Sequence, residues 1–315
     1  MAVSTVARSG LSTFDKFQRT NGASFAPQFV ATGASTSVFT SPDGITWTAR
    51  AVSGSFNSLS APHRNGSLLC VFDLANNRFT SADGVTWQQN GQLTMGGTGT
   101  MRASHALLNP NDGTVNLFSR NLALSNNGYM FDVTNATSVG DTQITGNSAS
   151  STGYATNGSV FLFSGVAGSN YLWRTSGRKG AQPIVQAYGS STASLGVVFG
   201  AGLFVVSDSN GTGVWSSPDG TTWTGRGTGA RYIYFVNGLF LANDGASLWT
   251  STNGTSWTSR TVSGIGSNGI THITFGNGLF VLVADNGFIA TSPDGTTWTS
   301  RTSGTAVQLN GVYFG

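Results

Sequence analysis

Hydrophobic and polar positions change rhythm every few residues, and the change recurs down the chain. The clearest case is the last. Ile270–Phe275 alternates apolar and polar positions and predicts a half-buried strand. Gly278–Ala284 (Gly-Leu-Phe-Val-Leu-Val-Ala) is continuously apolar and predicts a strand buried on both faces. Asp285-Asn-Gly287 predicts a hairpin turn, and Phe288–Ser292 a third strand. Pro293-Asp-Gly295 turns again into a fourth strand, Thr296–Arg301, with Trp298 and Arg301 on opposite faces. In Ser-Pro-Asp-Gly, Pro presets φ, Asp bonds the local backbone and Gly accepts positive φ. That suits a type I turn followed by a glycine bulge.

The second turn carries a repeated heptapeptide, Ser-Pro-Asp-Gly-x-Thr-Trp. It is whole at Ser41–Trp47, Ser217–Trp223 and Ser292–Trp298. Near-copies stand at Ser81–Trp87 and Ser251–Trp257, and a worn one at Ser125–Phe131. The turn residues Asp43, Asp83, Asn127, Asp219, Asn253 and Asp294 are spaced by about 40 residues, with one double gap after Asn127. A lost copy is expected near Arg174–Gly180. Four antiparallel strands per unit in seven units predict an all-β chain, a single seven-bladed β-propeller over residues 21–315, with six or eight blades as alternatives. Leu309–Gly315 has the form of a first strand and is expected to close the first blade. Asn21–Phe25 has the same form and competes for that place. Residues 1–20 are expected to form an N-terminal arm; if the C-terminal strand takes that place, residues 1–25 lie outside the ring.

Composition agrees with this scheme. Charged residues make up 9%, Gly numbers 44 and Phe 20, so there is apolar material for a core but little charge. All twelve acidic residues are Asp; the chain has no Glu. The net charge of +3 is small, and no basic stripe suggests a nucleic acid partner. The single cysteine, Cys70, lies in an apolar run and is expected to be a buried, inert thiol. No apolar stretch approaches a membrane span and no signal peptide is evident.

Ser-x-Asp-Gly-x-Thr-Trp resembles the Asp-box, or BNR, repeat of sialidase-like propellers, one residue shorter between Asp and Gly. With Gly-Asn-Gly-Leu-Phe-Val before it and Thr-Ser-Arg after it, it is similar to repeats in bacteriophage virion and tail-associated proteins. The resemblance covers six of the seven units. It implies a virion location after synthesis in the host cytoplasm. It also implies contacts with other tail or capsid proteins through loops and through residues 1–19. A homo-oligomer or a host surface glycan would suit the same rigid scaffold.

Sialidase chemistry needs a Tyr–Glu pair, which a chain without Glu cannot form; other glycosidases need two carboxylates across the sugar. Asp43, Asp83, Asp219 and Asp294 belong to box turns, and Asp73, Asp208, Asp244 and Asp285 to the preceding hairpins. Asp112 sits in another turn. Only Asp15, Asp132 and Asp141 have no repeat role, and nothing brings two of them together. His63, His105 and His272 are isolated, although His105 and His272 fall in expected first strands. No cofactor, metal or catalytic set is expected. Trp47, Trp87, Trp223, Trp257 and Trp298 follow the repeat and are expected to pack beside the turn, as are Phe39, Phe79, Trp215 and Trp249 two residues before each box. Tyr154, Tyr171, Tyr188 and Tyr232 lie off the repeat and are the candidates for stacking on a sugar. Arg174, Arg178 and Lys179 stand where other units carry the acidic turn, and form a candidate docking loop for an acidic partner. The expected role is therefore a non-enzymatic virion structural protein, with a glycan- or receptor-binding module as the alternative and a glycoside hydrolase a distant third.

Overall fold

The computed structural model describes residues 26–34, 37–53, 59–65, 68–73, 77–92, 101–108, 115–121, 127–132, 139–145, 153–164, 171–175, 184–190, 192 and 194–315, with backbone alone between 101 and 145. These residues form seven four-stranded antiparallel sheets. In spatial order, sheet 1 contains Leu309–Phe314, Phe29–Gly33, Val38–Ser41 and Thr48–Arg50. Sheet 2 contains His63–Asn65, Leu68–Phe72, Asn77–Ser81 and Gln88–Gln92. Sheet 3 runs from Met101–Leu108 through Val115–Asn121 and Asn127–Asp132 to Val139–Thr145. Sheet 4 runs from Tyr154–Thr156 through Phe161–Phe163 and Tyr171–Thr175 to Ile184–Ala187. Sheet 5 contains Ser194–Gly200, Leu203–Asp208, Val214–Ser217 and Thr224–Gly225. Sheet 6 contains Tyr232–Val236, Leu239–Asp244, Ser247–Ser251 and Thr258–Arg260. Sheet 7 contains Ile270–Gly276, Leu279–Ala284, Ile289–Ser292 and Thr299–Arg301.

Burial follows the hydrophobic pattern. The continuous apolar segments are the second strands: Phe29–Gly33 is buried throughout, and Leu279–Ala284 is buried after its first residue. The fourth strands Thr48–Arg50, Thr258–Arg260 and Thr299–Arg301 are exposed at their first two residues. First- and second-strand phenylalanines meet inside each of four sheets: Phe199–Phe204 at 4.8 Å, Phe235–Phe240 at 4.5 Å, Phe275–Phe280 at 4.8 Å and Phe314–Phe29 at 4.7 Å. The box tryptophan closes over the second-strand ring in three of these, as Trp298 does over Phe280 at 6.5 Å. Each fully buried Phe contributes about 1.5–3 kcal/mol.

The hairpin between first and second strands is tight. Asn237 (φ 49°) with Gly238 (φ 76°), and Asn277 (φ 46°) with Gly278 (φ 77°), have the paired positive φ of a type I′ turn. Ala201 (φ 46°) with Gly202 (φ 78°) makes the same turn in sheet 5 without the asparagine.

The first strand of sheet 1 comes from the C-terminus. Phe314, Tyr313 and Val312 pair with Phe29, Val30 and Ala31. Asn21–Phe25 and the arm at residues 1–20 lie outside the described residues.

Neighbouring sheets touch through one recurring contact. In the five sheets with a described box, the box glycine lies on the second strand of the sheet before it. A Cβ at Gly254 (sheet 6) would stand 3.0 Å from Val205 of sheet 5, and one at Gly295 (sheet 7) 2.5 Å from Leu239 of sheet 6. Gly44 (sheet 1) faces Val281 of sheet 7 at 3.0 Å, Gly84 (sheet 2) faces Val30 of sheet 1 at 3.1 Å, and Gly220 (sheet 5) faces Leu162 of sheet 4 at 3.3 Å. Polar side chains stitch the same borders. Ser207 Oγ donates to Arg231 O, Asn243 Nδ2 to Ile270 O, Thr271 Oγ1 to Leu309 O and Asn310 Nδ2 to Leu59 O. Sheets 4, 5, 6, 7, 1 and 2 are thus joined in that order.

Sheet 3 corrects the repeat assignment. Asn127–Phe131 of the worn copy is not a turn. It lies in the third strand, with Gly128 paired to both Arg120 and Ile144. The chain between third and fourth strands is instead 133–138, outside the described residues. Asp132, which had no expected repeat role, ends the third strand at the place of the box serine. In sheet 4 that place belongs to Thr175; Arg174 and Thr175 of the expected lost box end the third strand, and 176–183 lie outside the described residues.

Candidate functional site

The five box turns share one hydrogen-bond pattern. In the first, Ser41 Oγ donates to Asp43 Oδ1 at 3.0 Å and accepts from Gly44 N at 2.8 Å. The same Oδ1 accepts from Ile45 N and Thr46 N, both at 2.8 Å. Asp83, Asp219 and Asp294 repeat this, and Asn253 does so with an uncharged carbonyl, accepting from Thr255 N at 2.9 Å and Ser256 N at 3.0 Å. The turn therefore needs an acceptor at this position and not a charge. Gly44 (φ 74°) and its four counterparts (φ 70–75°) occupy the left-handed region that favours glycine.

These bonds hold the carboxylates in their charged form. The Thr46 amide, with that of Ile45, lowers the Asp43 pKa against a modest desolvation. At Asp83 partial burial pushes upward, and the amides of Thr86 and Val85 outweigh it. The hydroxyls of Thr221 and Thr296, aided by backbone amides, hold Asp219 and Asp294 far below the usual carboxylate range. A carboxylate so held is a poor proton donor or base near neutral pH.

The box tryptophans divide into two kinds. Trp47, Trp87 and Trp298 donate from Nε1 to the carbonyl of their box glycine at 3.1, 2.9 and 3.1 Å. Trp223 and Trp257 have a buried Nε1 with no hydrogen-bond partner. Trp87 and Trp298 are the most enclosed, at 1% and 3% exposure, because the segment from the preceding sheet lies on them: Val52 bridges to Trp87 and Val262 to Trp298.

The other expected residues are dispersed. Asp208 is fully buried and accepts from Thr212 N at 2.8 Å, Thr212 Oγ1 and Ser190 Oγ, tying the entry of sheet 5 to its hairpin. Asp73 accepts from Asn77 N and Nδ2, Asp285 accepts from Gly269 N, and Asp244 pairs with Arg231 at 3.1 Å. Tyr188 cannot stack on a sugar: it is fully buried, its hydroxyl donates to Thr192 O, and burial raises its pKa. Tyr232 is 42% exposed, while the side chains of Tyr154 and Tyr171 lie outside the described residues. Cys70 is buried and its thiol is pushed up to about 11. His63 stacks on Phe72 and His272 meets Tyr234 edge-on, in separate sheets; of His105 only the strand position is described. Among the described residues no three His, Cys or Asp side chains converge as metal ligands would. Arg174 has a buried Nε without a partner, at the register position of a third-strand hydroxyl in other sheets. Arg178 and Lys179 lie outside the described residues.

Sequence reasoning missed one column of residues. Arg50, Arg260 and Arg301 end their fourth strands and Arg226 directly follows its own. Each donates from Nε to a hydroxyl ten residues back on the third strand: Thr40 at 2.7 Å, Thr250 at 2.8 Å, Thr291 at 2.9 Å and Ser216 at 2.7 Å. The signal was present as a Ser or Thr just before each of these four box serines and an Arg three residues after the box tryptophan.

Neither protein-family models nor curated proteins match the chain. Solved structures do. The extracellular domain of the one-component system BT4673 from B. thetaiotaomicron is 13% identical over 80% of this chain, with a TM-score of 0.57. That of a hybrid two-component system, also BT4673, is 12% identical over 80%, with a TM-score of 0.55. A chain of the mitotic checkpoint complex is 11% identical over 81% of this chain and 79% of its own length, with a TM-score of 0.58. The protein spans about a third of each BT4673 chain. At such identities the likeness extends to the sheet-rich fold alone.

Proposed function

We propose that the chain is a seven-bladed β-propeller closed by Leu309–Phe314, and that it serves as a non-enzymatic structural protein of a bacteriophage particle. The propeller reading is supported by the unbroken order of sheets 4, 5, 6, 7, 1 and 2, which leaves sheet 3 to bridge the two ends. One observation carries the non-enzymatic reading: the box aspartates bind their own turns, and Asp73, Asp208, Asp244 and Asp285 hold hairpins or neighbouring segments. The phage setting rests on the resemblance of the Ser-x-Asp-Gly-x-Thr-Trp repeat. In this role the propeller is a rigid disc whose loops and outer edges meet other tail or capsid proteins, with residues 1–19 as an anchor. Quantitative mass spectrometry of purified particles from the source tests it. A fixed ratio to the major capsid protein is expected; absence from the particle would refute it.

The second reading is a host-glycan module, favoured by the exposed Tyr232 beside the Arg231–Asp244 pair. Carbohydrate binding on a glycan array, lost in Tyr232→Ala, would replace the first reading with this one.

A further inference from the structure

Four arginines stand at the ends of the fourth strands, which are the edge strands of their sheets. Arg226, Arg260, Arg301 and Arg50 stand on sheets 5, 6, 7 and 1, which are consecutive neighbours. All four are half-buried. Their partner hydroxyls are almost completely enclosed: Thr40 and Ser216 are 1% exposed, Thr250 and Thr291 2%. A buried hydroxyl that accepts from Nε fixes the guanidinium plane and leaves the terminal nitrogens directed away from the anchor. Among the described residues none of the four has a carboxylate within ion-pair distance, whereas Arg231 is paired with Asp244. The fourth strand that presents each arginine is otherwise exposed Thr, Ser, Ala or Gly. Sheet 4 departs from the series, with Gln186 in the arginine register, and in sheet 2 the arginine is on the third strand, where Arg78 Nε donates to Asn90 O.

We propose that this row of four anchored guanidiniums is the docking surface for an acidic protein partner, an inference that rests on the structural role proposed above and names the chemistry of its contact. Charge complementarity selects the occupant. A pre-oriented guanidinium fork loses little freedom on binding a carboxylate, and Arg suits planar two-point recognition of that group. The chain has no Glu, and the aspartates whose side chains are described bind their own turns, hairpins or neighbouring segments, which favours a different protein as the source of the complementary carboxylates. One guanidinium per sheet makes the contact multivalent, so weak individual pairs add through effective concentration.

The test is binding of the full chain to immobilised poly-L-glutamate, with dextran sulfate and inorganic phosphate as competitors. Native protein is expected to bind in 50 mM salt and to weaken at least tenfold by 300 mM. Arg260→Gln with Arg301→Gln should weaken binding about tenfold with little change in melting temperature. Replacing all four arginines by Gln should abolish it. Arg231→Gln removes one charge off the row and should change binding less than twofold. If the fourfold variant does not fold, the pair variant and Arg231→Gln decide alone. Equal losses in Arg231→Gln and Arg260→Gln, or binding of dextran sulfate but not poly-L-glutamate, would overturn the proposal. So would a folded native chain that ignores poly-L-glutamate; its presence in particles would still leave the structural role standing.

Discussion

The Phe314 ring lies directly on the bare Cα of Gly276, so that a Cβ at Gly276 would fall within the ring atoms. The contact joins the last strand of the chain to sheet 7, while the same ring packs on Phe29 at 4.7 Å in sheet 1. Gly276 carries no positive φ, so any effect of substitution is steric. Gly276→Ala should cost about 1–3 kcal/mol in denaturant unfolding through overpacking. In Phe314→Gly, which removes the ring and also the Phe314 Cβ 2.5 Å away, the space is open, and adding Gly276→Ala should then cost far less than it does alone. That coupling identifies the contact; additive losses would mean that the ring sits elsewhere.

Ala201 holds φ 46° in a turn where the equivalent residues are Asn237 and Asn277. A left-handed conformation costs an ordinary L-residue about 1–2 kcal/mol, and Asn tolerates it better. Ala201→Asn should therefore raise unfolding free energy by about 0.5–1 kcal/mol, readable as a higher denaturation midpoint at unchanged slope.

Acid should unfold the protein through its box turns. Asp43, Asp83, Asp219 and Asp294 have folded pKa values below the unfolded value of 3.8. Their contribution is complete above that value and is lost as pH falls through the lower folded values. Stability should be flat with respect to these groups from neutrality to about pH 5 and decline below about pH 4. Asp294→Asn, which copies the natural Asn253 turn, should keep the fold at neutral pH and flatten the acid limb. An unchanged acid slope would show that the turn carboxylates do not drive the transition.

Tryptophan-to-phenylalanine changes should separate the two kinds of box. Trp298→Phe loses the bond to Gly295 O and leaves a buried carbonyl short of a donor, a cost of about 1 kcal/mol. Trp257→Phe removes an Nε1 that has no partner, so its polar cost is near zero and the loss reflects packing alone. The difference between the two variants is the measurement.

Strands and intact boxes were legible because their residues act locally: Ser41, Asp43, Gly44 and Trp47 bond within seven residues. Sheet 3 was misread because Ser-Asn-Asn-Gly looks like a turn. The Asn127–Phe131 backbone is instead committed to ladders with 117–120 and 142–145, which local propensity does not reveal. Tyr188 looked available for a sugar because it falls off the repeat, yet Trp215 and Trp223 enclose it, from sequence positions with no periodic relation to it. The arginine column was hidden for the opposite reason. Thr291 and Arg301 are ten residues apart across a turn, and only the register, which pairs Ile289 with Arg301, brings them within reach.

Hydrogen exchange on the intact protein tests most directly whether the first and last described strands lock together. With Leu309–Phe314 paired to Phe29–Gly33, the amides of both segments should open only with global unfolding, as slowly as those of Leu279–Ala284. Rapid exchange in Phe29–Gly33 and Leu309–Phe314, with sheets 5 to 7 still protected, would contradict the closure of sheet 1 by the C-terminal strand.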